Sequence, residues 1–594
     1  MTAQIFARQL RRRVKRSRKQ VEGLGLLAGE SLDENLIRRF SRLLFVRRFV
    51  ITWLLLFVLL GGSVIAQTVS LSSYYKSAEF LPGGVYTEGI LGDFTNINPL
   101  YATSLVDTSL SRLVFSSLLT YNDNNQLAGD LAQSWSVNST GKIYTVDLKP
   151  NLKWQDGQPL TASDVVFTYH TIQDPDAESP LQSSWQDVNI KATNSSTVVF
   201  TLADPLSSFP YSLTNGIVPE HLLDNIPMAE MRSAAFNTEQ PVGSGPFTWK
   251  SIAVSGSTPA TREEQITLVP SSDYYGSKPK IDGFIVDAYH DQNALIQAFK
   301  QGDMDALVGL TSVPSDLKGN KSLWDYSFPL TGADMVFYKT SSGVLADQTV
   351  RQALDKAINV NKIIEGLNYP AIPVREPLLA AQLGYNPTYN QITDEPTGAA
   401  QLLQQDGWLV GNGGIRYKDG QPLTFDLYAA DDSESQYVTQ ALKQQWLAVG
   451  VDVHVVLEDD TDLQNTVAFH TYDALLYGIS IGVDPDVFVY WDSSQANPQS
   501  SIWLNLSEYK SSAADEALEG GRTVFDPALR AAKYQSFLQA WQTEAPALGL
   551  YQPRFLYITR EPVAGLTEHT INSAADRFDN VVNWEILTGK VNES

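Results

Sequence analysis

The chain has 594 residues and a formal net charge of −23 with a pI near 4.7, which excludes nucleic acid as a partner, since phosphate binding needs a basic face. Hydrophobic residues make up 43% and charged residues 18%, the balance of folded globular domains and not of a disordered chain. With no cysteine, the chain has no disulfide, no thiolate metal site, no cysteine nucleophile and no lipid-modified cysteine.

Met1 to Arg48 is basic, with a net charge of +9, and Arg11, Arg12, Arg13, Lys15 and Arg16 stand together in it. Ser31-Leu32-Asp33-Glu34 has the form of a capping box, and Leu32, Leu36, Phe40 and Leu43 then share one face of an amphipathic helix that would lie along a membrane surface. Phe49 to Ala66, FVITWLLLFVLLGGSVIA, follows without a charge. A helix of that length covers ~27 Å, close to the ~30 Å hydrocarbon core of a bilayer. The remainder of the chain carries −32, so the positive-inside rule keeps residues 1–48 in the cytoplasm and exports the acidic bulk. Val64-Ile65-Ala66 has the small-residue pattern of a cleavage site, but the apolar run is longer than a signal core, which favours an uncleaved anchor. Residues 67–84, ending in Pro82-Gly83-Gly84, read as a short tether.

The globular part starts with a strand at Val85 to Leu91 and the turn Asn96 to Pro99. Ser109 to Tyr121 has helical spacing, Lys142 to Leu148 alternates as a strand, and Thr161 to Asp164 caps a helix running on through Val165 to Thr171. The hexapeptide DGQPLT stands at Asp156 to Thr161 and again at Asp419 to Thr424; a tight turn used twice explains it more simply than duplication. Strands at Thr197–Leu202, Ile266–Pro270 and Phe284–Ala288 precede a helix at Gln292–Gln301. Helices at Gln348–Ile358, Pro396–Asp406 and Gln436–Ala448 then alternate with strands at Thr424–Ala429 and Val451–Leu457. A helix at Pro527–Thr543 and strands at Ala547–Tyr551 and Phe555–Thr559 close the chain, an alternation that predicts α/β layers over buried sheets.

Signatures of catalysis do not emerge. Gly243-Ser244-Gly245-Pro246 is a turn and not a nucleophile elbow, and Thr140-Gly141-Lys142 lacks the earlier glycine of a phosphate loop. The six histidines are far apart, and Glu458 to Asp462 lacks the spacing of a calcium loop. Asp484 and Asp486 in Val-Asp-Pro-Asp read either as an acid–base pair or as a proline turn. The residues alone describe an anchored, exported α/β protein that binds something.

Six segments in order resemble the family 5 extracellular solute-binding proteins, the peptide and nickel receptors of bacterial ABC importers. They are Asn98-Pro99, LAGDLAQSW from Leu127, WQDGQPLTASDVVFTY from Trp154, PVGSGPF from Pro241, VRQALDKAI from Val350 and YDALLYGISIGVDPD from Tyr472. The resemblance implies a two-lobe type II periplasmic-binding-protein-like α/β fold with an extra subdomain, preceded here by one transmembrane helix. Lobe I would comprise 85–107, 215–335 and 549–594, its subdomain 108–214, and lobe II 336–548. It implies a receptor with no cofactor, no metal and no catalysis, closing its lobes on a solute, expected to be a short peptide, for ABC permease and ATPase subunits. A ligand sensor for a signalling partner, a nickel or chelate receptor and an oligosaccharide receptor are the variants of this reading. In the family's peptide receptors the stretch after the Asn-Pro turn pairs with ligand backbone, which here is Thr103, Ser104 and Leu105. Their cleft aspartate follows a Gly-Trp pair; this chain has Ile479 in place of the Trp, and Asp484 and Asp486 are the nearest acids. Tyr490, Trp491 and Tyr551 are expected as aromatic cleft walls.

Overall fold

The computed structural model describes residues 47–592 apart from Tyr75, Asp123, Pro259, Ala260, Asn368, Pro370 and 498–503. The basic segment up to residue 46, with the capping box and amphipathic helix expected there, lies outside the described residues. The chain divides into two compact units, one of residues 1–79 with 589–594 and one of Phe80–Thr588.

In the first unit, helix α1 (Arg47–Tyr74) is longer than the expected 49–66 segment and takes up half of the expected tether. The rest of that tether is mostly strand, Lys76–Leu81, which pairs with Ile586–Asn592. Phe49 and every residue from Ile51 to Ile65 are exposed. Among the described residues no helix is long and apolar enough to cross a membrane.

The second unit is built on two sheets, whose strands are numbered here in chain order. The seven-stranded sheet holds β1 (Val85–Leu91), β2 (Phe247–Ser255), β3 (Glu263–Pro270), β4 (Gly283–Tyr289), β5 (Ala306–Val308) and β6 (Trp324–Pro329). The five-stranded sheet holds β7 (Gly332–Tyr338), β8 (Thr424–Ala430), β9 (Asp452–Glu458), β10 (Ala474–Ser480) and β11 (Ala547–Tyr551), after which the chain returns to the first sheet as β12 (Arg554–Thr559). Their orders are β6-β12-β5-β1-β4-β3-β2 and β9-β8-β10-β7-β11. Each sheet has a separate apolar core: Tyr86, Phe284 and Trp584 belong to the first, Phe425, Trp446 and Leu548 to the second.

The chain crosses between the sheets twice, from β6 to β7 and from β11 to β12. The two crossings lie side by side: the Leu330 N–H donates to the Pro553 carbonyl (2.9 Å), and the Gln552 side-chain amide donates to the Leu330 carbonyl (3.1 Å). A four-stranded sheet of Ala132–Val137, Ile143–Leu148, Asn189–Asn194 and Thr197–Thr201 forms within the segment expected as a subdomain. It adjoins the helix Ala162–Gln173, whose Thr161–Asp164 capping box is present as expected.

The helix expected over Ser109–Tyr121 is instead α2, Leu105–Val114, followed by a strand at Leu119–Tyr121. The Gly245 N–H takes the Val114 carbonyl (2.8 Å) at the end of α2. A Cβ on Gly243 would lie 1.9 Å from that same oxygen, so the Gly-Ser-Gly-Pro turn is a close-approach device. The repeated hexapeptide makes two different turns. Asp419 and Gly420 both have positive φ in a two-residue hairpin, whereas in the first copy only Gly157 does.

Candidate functional site

Strand direction tells where to look. β1 runs parallel to β4 and β5, and β8 runs parallel to β9 and β10, so each sheet gathers the carboxyl ends of several strands on one edge. Ligands of open α/β sheets bind beyond such ends. A cavity of about 410 Å³ lies there, lined by Thr311 beyond β5 and Arg554 at the start of β12, and by Asp334, Tyr477, Gly478 and Tyr551 of the second sheet. A second cavity of about 420 Å³ shares Thr311, Tyr369, Glu434 and Arg554 with it and extends along Val313, Leu317 and Asp325. Both adjoin the crossings, so the two sheets line them together.

Two helices present their first turns to this space. α3 (Ser433–Leu447) follows β8; Asp432 caps it, accepting the Glu434 and Ser435 N–H groups at 2.9 and 3.0 Å. α4 (Asp460–Phe469) follows β9 and is capped by Asp459, so the acidic run from Glu458 to Asp462 is a helix start. Glu434 is held from the far side: the Tyr369 and Tyr551 hydroxyls both donate to its Oε1, at 2.8 and 2.9 Å. Burial, together with the charges of Glu434 and Asp432, pushes the Asp334 carboxyl up to about 7. The one arginine lining the first cavity is engaged elsewhere: Arg554 lies over the Tyr369 ring at 4.0 Å and donates to Ser327 Oγ at 2.7 Å. Burial lowers its pKa.

The residues expected from sequence are dispersed. Tyr551 lines the cavity. Ser104 is the N-cap of α2, accepting the Asp107 N–H at 3.0 Å, and Thr103 beside it is exposed. Leu105 packs against the first core and close to Gly309, in the loop that leads from β5 to Thr311. None of these three lines either cavity.

Asp484 is not a free acid. Both of its oxygens accept from the Arg530 guanidinium, at 2.6 and 2.5 Å, and Oδ1 also accepts the Asp486 N–H. Asp486 accepts from Arg522 Nε at 3.0 Å and from Ser208 Oγ at 2.8 Å. Tyr490 donates to the Ser480 carbonyl at 2.6 Å. Trp491, expected as a cleft wall, is fully buried, stacked on Phe337 and edge-on to Trp541. Asp484 and Asp486 are therefore each paired with an arginine.

Sequence reasoning passed over Asp334, Tyr369, Asp432, Glu434 and Arg554. One signal was present: Asp431-Asp432-Ser433-Glu434 directly follows an alternating strand, which marks a capped helix at a strand's carboxyl end.

A polar cavity walled by two α/β lobes is a place where both can hold a solute. Residues 126–500 match the family model of bacterial extracellular solute-binding proteins, family 5 (middle region), and this chain belongs to that family. It is a solute-binding receptor and not an enzyme. Among curated proteins it is 28% identical over 467 residues to protein XP55 of Streptomyces lividans, covering 76% of this chain and 81% of that one. It is 26% identical over 507 residues to the oligopeptide-binding protein AppA of Bacillus subtilis, covering 82% and 89%. Among solved structures, CtaP of Listeria monocytogenes, an ABC transporter substrate-binding protein, superposes with a TM-score of 0.72 at 23% identity, over 85% of this chain and all of that one. NikZ of Campylobacter jejuni in complex with Ni(L-His) gives 0.69 at 24% identity, over 84% and 99%. These superpositions bear on the fold.

Proposed function

We propose that this protein is the membrane-anchored solute-binding subunit of an ABC importer, with its C-terminal domain outside the cytoplasm and a short peptide as its solute. The observation that carries the reading is the polar cavity walled by both sheets beside their two crossings. A solute there touches both lobes only when they are shut, so it shifts the open–closed equilibrium by its differential affinity for the closed form. The closed face is what permease and ATPase subunits would read. Similarity to an oligopeptide-binding protein over most of both chains favours a peptide. The charge-free run from Phe49 to Ala66, preceded by thirteen basic residues, supports a single anchoring helix with its N-terminus in the cytoplasm. Thr103, Ser104 and Leu105 keep a proposed part beside the loop from β5, and Tyr551 a proposed part in the cavity wall.

The test is the solute itself. Full-length protein is purified from membranes without denaturation, then unfolded, and the released small molecules are identified by mass spectrometry. We expect peptides in near-stoichiometric amount; a sugar, or a metal chelate found by elemental analysis, would refute the peptide assignment while leaving the receptor in place.

A further inference from the structure

The chain passes between the two sheets only at the crossings beside Leu330 and Pro553, so a contact between the halves elsewhere must part when the cavity opens. One such contact is built on the Val-Asp-Pro-Asp motif. Arg530 holds both Asp484 and the Gly521 carbonyl, to which its Nε donates at 2.8 Å. The motif is thereby fixed to the end of the helix Ser512–Thr523 and to the turn after it, which carry Arg522 and Phe525. Leu518 of that helix shares a core with Phe337 of β7, so this surface belongs to the half built on the five-stranded sheet.

Facing it are the turn at Gly141 and the segment Leu206–Phe209, which adjoin the four-stranded sheet. Tyr144 of that sheet and Phe209 belong to the core of the seven-stranded sheet, so this surface belongs to the other half. The Ser207 N–H donates to the Arg522 carbonyl at 2.8 Å. Ser208 Oγ donates to Asp486 Oδ2 at 2.8 Å, the same oxygen that takes Arg522 Nε at 3.0 Å. Phe525 lies over Gly141: a Cβ there would fall 2.3 Å from Phe525 Cε2, and the Tyr144 ring is 6.4 Å from the Phe525 ring. Gly141, at φ +72°, is the residue that the turn requires and also the one that leaves room for the ring. None of these residues lines either cavity. Asp486, Arg522 and both serines can take water as partner when the surfaces separate, so the contact is weak enough to be reversible.

We propose that this contact is a latch, in which Ser207, Ser208 and Gly141 of one half engage Asp486, Arg522 and Phe525 of the other. It holds the halves together without touching solute. It therefore sets the closed fraction of the empty protein and, through that fraction, the apparent affinity for solute. Only the second effect rests on the receptor reading; the first is a property of the empty protein.

The experiment uses the full chain in detergent, freed of solute, with spin labels at Lys321→Cys and Gln440→Cys, exposed positions in the two halves. Ser208→Asp sets a second carboxylate against Asp486, and Phe525→Ala removes the ring from Gly141; neither residue belongs to an apolar core. Pulsed electron–electron resonance should show the short-distance population of the empty protein falling by about three- to tenfold in each variant, with melting unchanged. The Ser208→Asp effect should shrink at high salt, where the repulsion is screened. For a peptide shown to bind, Kd should rise by the same factor as the closed population falls. Identical distributions for the empty parent and both variants would overturn the latch, whatever the protein binds. Shifted distributions in a protein for which no solute is found would support the latch and overturn the receptor reading.

Discussion

Glu88→Ala is expected to destabilise the seven-stranded sheet by about 3–5 kcal/mol, because it strands a fully buried guanidinium. Glu88 lies in β1, the parallel strand that joins β4 to β5. Its Oε1 accepts from Nε and Nη2 of Arg577, at 3.1 and 2.5 Å, and both side chains are wholly inaccessible. Arg577 also donates to Ser109 Oγ of α2 (2.9 Å) and lies over the Phe578 ring at 4.0 Å. This one pair therefore ties the first strand of the domain, its first helix and its C-terminal segment together. Replacing both partners by apolar residues, Glu88→Leu with Arg577→Met, should recover most of the loss, since the cost lies in the unpaired charge and not in the missing bridge. Denaturant melts of the three variants measure it. A double variant no more stable than Glu88→Ala would show that the pair contributes through its geometry.

Trp491→Ala is expected to cost a comparable ~3–5 kcal/mol and to leave solute affinity unchanged below its melting temperature. The ring fills a further core of the five-stranded sheet, between Phe337 of β7 and Trp541 of the helix Pro527–Glu544, so its removal leaves a hole among rigid neighbours. Trp491→Phe should lose less, having kept part of that volume. A cleft wall would behave the opposite way, losing affinity with little change in melting. Thermal melts and binding isotherms on the same samples separate the two.

Much of the scaffold was legible because its periodicity is strong. Val85–Leu91, Gln292–Gln301 and Ala547–Tyr551 form at the bounds expected from alternation or helical spacing. The helix at Ser109–Tyr121 failed for a non-local reason: the backbone of Gly243 and Gly245, far along the chain, presses on Val114 and ends α2 there. Helix α1 outran its apolar segment because Gln67 to Tyr74 has nothing in it that breaks a helix, and composition alone had marked that stretch as tether.

The site was far less legible. Its acids come from separate places in the chain: Asp334 inside an apolar strand, Asp432 and Glu434 at the start of a helix. What gathers them is the order of strands in a sheet, which spacing along the sequence does not encode. The conspicuous Val-Asp-Pro-Asp drew attention to two aspartates whose partners, Arg530 and Arg522, lie on helices much further on. An acid that stands out in a sequence is as readily spent on an ion pair as on a ligand.

The central claim is that the two lobes close on a solute that they do not alter. Because the chain has no cysteine, one label can be placed on each side of the cavity, at exposed Lys321→Cys and Gln440→Cys, without background. Pulsed electron–electron resonance on the spin-labelled full-length protein then gives the interlobe distance with and without a peptide shown to bind. The account predicts a distribution that narrows and moves to shorter distance on binding, with the peptide recovered intact. An unchanged distribution at saturation, or a cleaved peptide, would contradict it.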